Sequence, residues 1–142
     1  VLVVEDNLDA QQALKALLEL CGHEVFVAPD GEAGIATALD IRPDIAIIDL
    51  GLPSLDGYEV ARRIRSSPQG KELLLVALTG YGAPEQRSRA LEAGFDLHLV
   101  KPVEPEQLLK LVAERAATGS QDNGMGTAGR IRLAEGPQFA NP

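Results

Sequence analysis

Cysteine occurs once in 142 residues, tryptophan not at all, and aromatic residues make up only 4% of the chain. A single cysteine forms no internal disulfide, and such sparse use fits a reducing, cytoplasmic compartment. Stability must therefore come from an aliphatic core, for which a hydrophobic fraction of 45% is sufficient. Basic residues are scarce as well. Thirteen Lys and Arg face 21 Asp and Glu, a net charge of −8. That balance excludes a nucleic-acid partner, since phosphate backbones need basic clusters. No stretch approaches the roughly 18 apolar residues of a membrane span, so direct membrane insertion is not expected. The n-region and h-region pattern of a secretory signal is not read in these 142 residues. No Gly-rich P-loop is present either, so the chain does not draw phosphate from ATP itself. The chain opens inside an apolar run at Val1 rather than at a methionine, which suggests a segment of a longer protein.

Five short runs rich in Val, Ile and Leu stand out: 1–4, 24–28, 44–49, 73–78 and 97–100. None alternates cleanly, so they read as strands buried on both faces of a parallel sheet. Stretches of helical period lie between them. Leu14, Leu17, Leu18 and Cys21 form one stripe, which makes Cys21 core filler. Ile35, Ala36 and Leu39 form another, with Asp30 as N-cap and Pro43 beyond its end. Val60, Ala61 and Ile64 follow Gly57. Ala90, Leu91 and Ala93 lie between Pro84 and Gly94, and Leu108, Leu111 and Val112 follow Pro105. Five β-α units imply right-handed crossovers and a doubly wound α/β sheet. Two strand orders are common for such sheets, and both put the working site at the C-terminal ends of the strands. Residues 1–118 read as this domain. Residues 119–142, rich in Gly, Pro, Asn and Gln, read as a flexible linker or tail.

The strand ends carry unusual residues. The first ends at Glu5-Asp6-Asn7, the third at Asp49, the fourth at Thr79-Gly80 and the fifth at Lys101-Pro102. Each has an ordinary explanation when taken alone: a turn or cap carboxylate, a loop threonine, a solvated lysine, a charge pair on a helix dipole. Together they gather three carboxylates, a hydroxyl and an ammonium. Clustered carboxylates repel and raise one another's pKa unless a cation compensates. An oxygen-only ligand set suits Mg2+ (or Mn2+) and argues against zinc. A divalent ion, an ammonium and a hydroxyl would neutralise and bind a phosphoryl group. A carboxylate attacking phosphorus gives an aspartyl phosphate, and Asp49, directly ending a strand, is the candidate nucleophile. His23 reads as a solvated turn residue.

VVEDN, DIAIIDLGLPSLDGYEVARRIR, ALTGYG and LVKP together resemble the receiver domain of two-component response regulators, the chemotaxis-regulator-like family. The resemblance covers about residues 1–117. Its intervals, 43 residues from Asp6 to Asp49, 30 to Thr79 and 22 to Lys101, are similar to the family's. The resemblance implies a flavodoxin-like, five-stranded parallel sheet in the order 2-1-3-4-5. It implies that Glu5, Asp6, Asp49 and the Gly51 backbone carbonyl hold the metal. It makes Asp49 the phosphoacceptor, and Thr79 and Lys101 the switch hydroxyl and phosphoryl-binding lysine. A cis peptide bond is expected before Pro102. The family's second switch position usually holds Tyr or Phe; here it is His98, either a switching residue or an exposed one on a modified output face. Tyr81 could gate access to the phosphoryl group.

The same resemblance implies a phosphohistidine donor on a histidine kinase or phosphotransfer domain. A downstream protein would meet the face made by strands and helices four and five. The only catalysis expected is the domain's own phosphorylation and slow dephosphorylation. GLPSLDGYEVARRIR and ALTGYG look like receivers of hybrid sensor histidine kinases; a stand-alone receiver is the alternative arrangement. The rival is a receiver-like interaction module that works without phosphorylation. A haloacid-dehalogenase-like phosphatase would need a hydroxyl where Ala10 stands, and a flavodoxin would need a phosphate loop where Glu5-Asp6 would repel one.

Overall fold

The computed structural model describes residues 1–80 and 82–121, the last six by backbone only. Five strands, β1 Leu2–Val4, β2 Phe26–Ala28, β3 Ile45–Asp49, β4 Leu74–Thr79 and β5 Leu97–Val100, alternate with five helices. These are α1 Leu8–Leu20, α2 Gly31–Ile41, α3 Gly57–Ser66, α4 Pro84–Ala93 and α5 Pro105–Gln121. A short 3-10 turn, Pro68–Gly70, precedes β4. All pairings are parallel, in the order β2-β1-β3-β4-β5. The sheet is thus the flavodoxin-like one expected, with β3 at its centre.

Alternation along the strands divides the core in two. Val4, Ile48 and Ala77 pack with α2, α3 and α4 on one face. Val3, Ile47, Leu78, Leu97 and Leu99 pack with α1 and α5 on the other. Every residue of β3 and β4 is buried, which is why those runs carry no polar alternation. The two edge strands are less covered: Phe26 of β2 and Val100 of β5 are exposed.

Helix ends follow local chemistry. Asn7, Asp30 and Asp56 each accept a hydrogen bond from the third backbone N–H onward, capping α1, α2 and α3. Pro84 opens α4 without any side-chain cap, and Gly94 closes it at φ 115°.

Three packing expectations need correction. Cys21 is exposed, because α1 ends at Leu20 and Cys21 is its cap, outside the buried stripe. The fully buried face of α2 is Gly31, Gly34 and Ala38; of the expected stripe, Ile35 packs half-buried against that core, Leu39 is half-buried and Ala36 is exposed. Small residues let α2 approach β1 so closely that a Cβ at Gly34 would sit 2.8 Å from Val4. On α4, Ala90 and Ala93 are buried while Leu91 is exposed. The α5 backbone runs to Gln121, past the expected boundary at 118; the rest of the proposed tail lies outside the described residues. Among the described residues no helix is long and apolar enough to cross a membrane.

Candidate functional site: an acidic pocket at the strand ends

Asp49 is the last residue of β3; β1 beside it and β5, one strand beyond β4, deliver Glu5 and Lys101 to the same edge. Asp49 is 7% exposed and Glu5 1%. Carboxylate oxygens of Glu5, Asp6 and Asp49 lie within 4.8 Å of one another, with Asp6 the exposed member. Lys101 Nζ sits between two of them, 3.2 Å from Glu5 Oε1 and 3.3 Å from Asp49 Oδ1. Three carboxylates against one ammonium leave an excess of negative charge in a half-closed pocket.

Backbone donors fix the two buried carboxylates. The Gly51 N–H donates to Asp49 Oδ1 at 3.2 Å, and the Asn7 N–H to Glu5 Oε2 at 3.1 Å. The β3–α3 turn is tight for a specific reason: a Cβ at Gly57 would lie 2.6 Å from the Asp49 carbonyl oxygen. Gly57 therefore lets the start of α3 pack directly on the backbone that presents Asp49. At Gly51 a Cβ would meet only Asp49 Oδ1, at 3.9 Å, so that glycine is not sterically required.

Electrostatics match the geometry. Burial pushes the Glu5 carboxyl above its ordinary range, and Asp49 adds to the rise; the Asn7 N–H and Lys101 pull the other way. Burial pulls the Lys101 ammonium down, but Asp49 and Glu5 outweigh it, leaving its pKa above the usual value. Lys101 thus stays charged, and a second cation would relieve the burial and Asp49 repulsion that raise the Glu5 pKa. The donor set is all oxygen and carries surplus negative charge, which fits Mg2+ or Mn2+.

Thr79 is brought to the same edge, but its hydroxyl donates to Gln86 Oε1 on α4, at 3.0 Å. His98 follows strand alternation to the α4 side of the sheet and is only 3% exposed, so its reading as an exposed residue does not hold. Burial lowers its pKa, and Arg87 on α4 lowers it further. The Lys101–Pro102 peptide bond is cis. Tyr81 lies outside the described residues.

Two polar residues were not singled out from the sequence. Gln11 is buried in the stripe of α1, and its side-chain amide donates to the Glu5 carbonyl oxygen at 3.0 Å. A glutamine three and seven residues before Leu14 and Leu18 was the available signal. Gln86 left none, because its partner is set by how α4 lies over the end of β4.

Residues 1–113 match the family model described as the response regulator receiver domain. The chain is 37% identical over 114 residues to an uncharacterised 14.6 kDa protein of Leptolyngbya boryana, covering 80% of this chain and 87% of that one. It is 31% identical to the response regulator MprA of Mycolicibacterium vanbaalenii, over 95% of this chain but only 58% of MprA. Among solved structures it superposes on the Vibrio cholerae chemotaxis protein CheY4 with a TM-score of 0.75 and 33% identity, covering 79% of this chain and 93% of that one. The receiver domain of a Pseudomonas aeruginosa sensor histidine kinase, solved with a magnesium ion in its active-site cleft, gives a TM-score of 0.73 and 33% identity, covering 78% and 91%. With its five-stranded order, its acidic pocket and these relatives, the chain belongs to the response regulator receiver domain family of two-component signalling.

Proposed function

We propose that Asp49 accepts a phosphoryl group from a phosphohistidine on a histidine kinase or phosphotransfer domain. The observation that carries this reading is the Lys101 ammonium bridging the buried Glu5 and Asp49 carboxylates. Asp49 Oδ1 is held by the Gly51 N–H and Lys101, which orients the carboxylate and leaves Oδ2 as the attacking atom. The Oδ2–P bond forms as the donor P–N bond breaks. The imidazole leaves with that electron pair and takes up a proton. Lys101 and the Thr79 hydroxyl then hold phosphoryl oxygens.

Glu5, Asp6, Asp49 and the Gly51 carbonyl would hold Mg2+ or Mn2+, which supplies neutralisation of the phosphoryl charge. The domain catalyses its own phosphorylation and slow dephosphorylation and has no other substrate. His98 and Thr79 are its switch residues. Its output face is that of β4, β5, α4 and α5, where Leu91 and Val100 are exposed apolar residues. The proposed parent is a hybrid sensor histidine kinase acting on the cytoplasmic side of a membrane. Similarity to a sensor-kinase receiver supports that parent, and the full coding sequence decides between it and a stand-alone receiver.

A magnesium titration followed by amide NMR tests the site. The amides of Asp49 and Thr79 shift saturably with Mg2+ at millimolar concentration or below. Unmoved amides would favour an interaction module that works without phosphorylation.

A further inference from the structure

We propose that Gln86 is a positioning residue for the switch: its side-chain oxygen holds the Thr79 hydroxyl in the resting state and opposes phosphorylation. The inference rests on Asp49 being the phosphoacceptor and Thr79 its switch hydroxyl. Thr79 is buried at the end of β4, and its Oγ1 donates to Gln86 Oε1 at 3.0 Å. A threonine hydroxyl carries one proton and donates it to one acceptor at a time. The hydroxyl that bonds a phosphoryl oxygen on Asp49 must therefore leave Gln86.

The place of Gln86 in α4 gives the exchange a consequence. Gln86 lies in the first turn of α4, which has no N-cap side chain; its own N–H and that of Arg87 both bond the Ala83 carbonyl. The Thr79 bond therefore ties an otherwise uncapped turn to the sheet. Further along, Ala90 and Ala93 are buried and the Arg89 guanidinium lies 4.2 Å above the Tyr58 ring on α3. These contacts anchor the helix body, while the Thr79–Gln86 bond ties the first turn to the end of β4. Moving the Thr79 hydroxyl releases the end of α4 nearest the pocket and leaves the far end docked.

The test is a double-mutant cycle read by beryllium fluoride, a phosphoryl mimic, with Mg2+ present. Gln86→Ala removes the competing acceptor, so beryllium fluoride binds about fivefold more tightly, the equivalent of about 1 kcal/mol for one hydrogen bond. Gln86→Glu keeps an acceptor and strengthens it by charge, so binding weakens. In a Thr79→Ala background Gln86→Ala changes nothing, whereas Thr79→Ser restores the gain. Without metal or mimic, amide hydrogen exchange at Gln86 and Arg87 is faster in both Gln86→Ala and Thr79→Ala than in the wild type. Wild-type binding with no gain in Gln86→Ala, or an equal gain in the Thr79→Ala background, overturns the proposal. If the wild type itself fails to bind, the Asp49 reading fails; the exchange comparison still decides the tie, and equal exchange in all three proteins sinks it.

Discussion

Lys101 lies three residues beyond His98, just past the end of β5, and the sheet treats them oppositely. Lys101 is half-buried among carboxylates that raise its pKa, while burial and Arg87 lower that of His98. The histidine gives a pH signature. Its folded pKa is depressed, so below about pH 6.5 the unfolded chain binds a proton that the folded chain resists. The stability from a neutral His98 is therefore fully present above the ordinary histidine pKa and lost as pH falls through the window beneath it. Arg87, the charged group facing it from α4, deepens the effect. His98→Phe removes this proton linkage. Urea unfolding at pH 7.5 and 5.5 should show a smaller acid loss for the variant than for the wild type; equal losses would contradict a buried neutral imidazole. The site residues were legible where chemistry coincided with a strand end, as at Glu5, Asp49 and Lys101. His98 and Cys21 were not, because apolar runs and helical stripes do not reveal which face is covered or where the last turn stops.

At the level of elements, one arginine fastens the far side of the sheet. Arg65, near the end of α3, donates to the carbonyls of Gly94, Gly70 and Leu73 at 2.8, 3.0 and 2.7 Å and to Asp96 Oδ2 at 2.6 Å. Asp96 also accepts from the Leu75 N–H at 2.9 Å, so α3, the turn after it, β4 and the α4–β5 connection meet on two side chains. Gly94 is constrained twice: its φ of 115° disfavours a side chain, and a Cβ there would lie 2.6 Å from Arg65 Cγ. Both charges are mostly shielded, with about a fifth of each side chain exposed. Arg65→Met keeps the stem but strands three carbonyls and a carboxylate, a loss of about 3 kcal/mol. Arg65→Lys rescues little, because an ammonium cannot span four acceptors. Denaturant midpoints measure both, and a change below about 0.5 kcal/mol for Arg65→Met would show that the network is ornamental. Nothing in the local sequence marks Arg65. Its partners come from three separate segments, and no local pattern encodes such a meeting.

Across the whole molecule, the order of elements was readable because hydrophobic period switches five times and prolines, asparagines, aspartates and glycines mark the ends. Strand ends converge on one edge in any such sheet, so a pocket built from Glu5, Asp6, Asp49 and Lys101 follows from topology once the strands are placed. What topology does not supply is the rotamer of Thr79, which depends on how closely α4 lies over β4. The chain spans 58% of the regulator MprA. The central claim concerns one carboxylate. Incubation with acetyl phosphate and Mg2+, followed by intact-mass analysis, should add one phosphoryl group that is lost on hydroxylamine treatment. In Asp49→Asn that mass increment falls to background while Mg2+-free folding is unchanged. An undiminished, hydroxylamine-labile increment in Asp49→Asn would place the phosphoacceptor elsewhere.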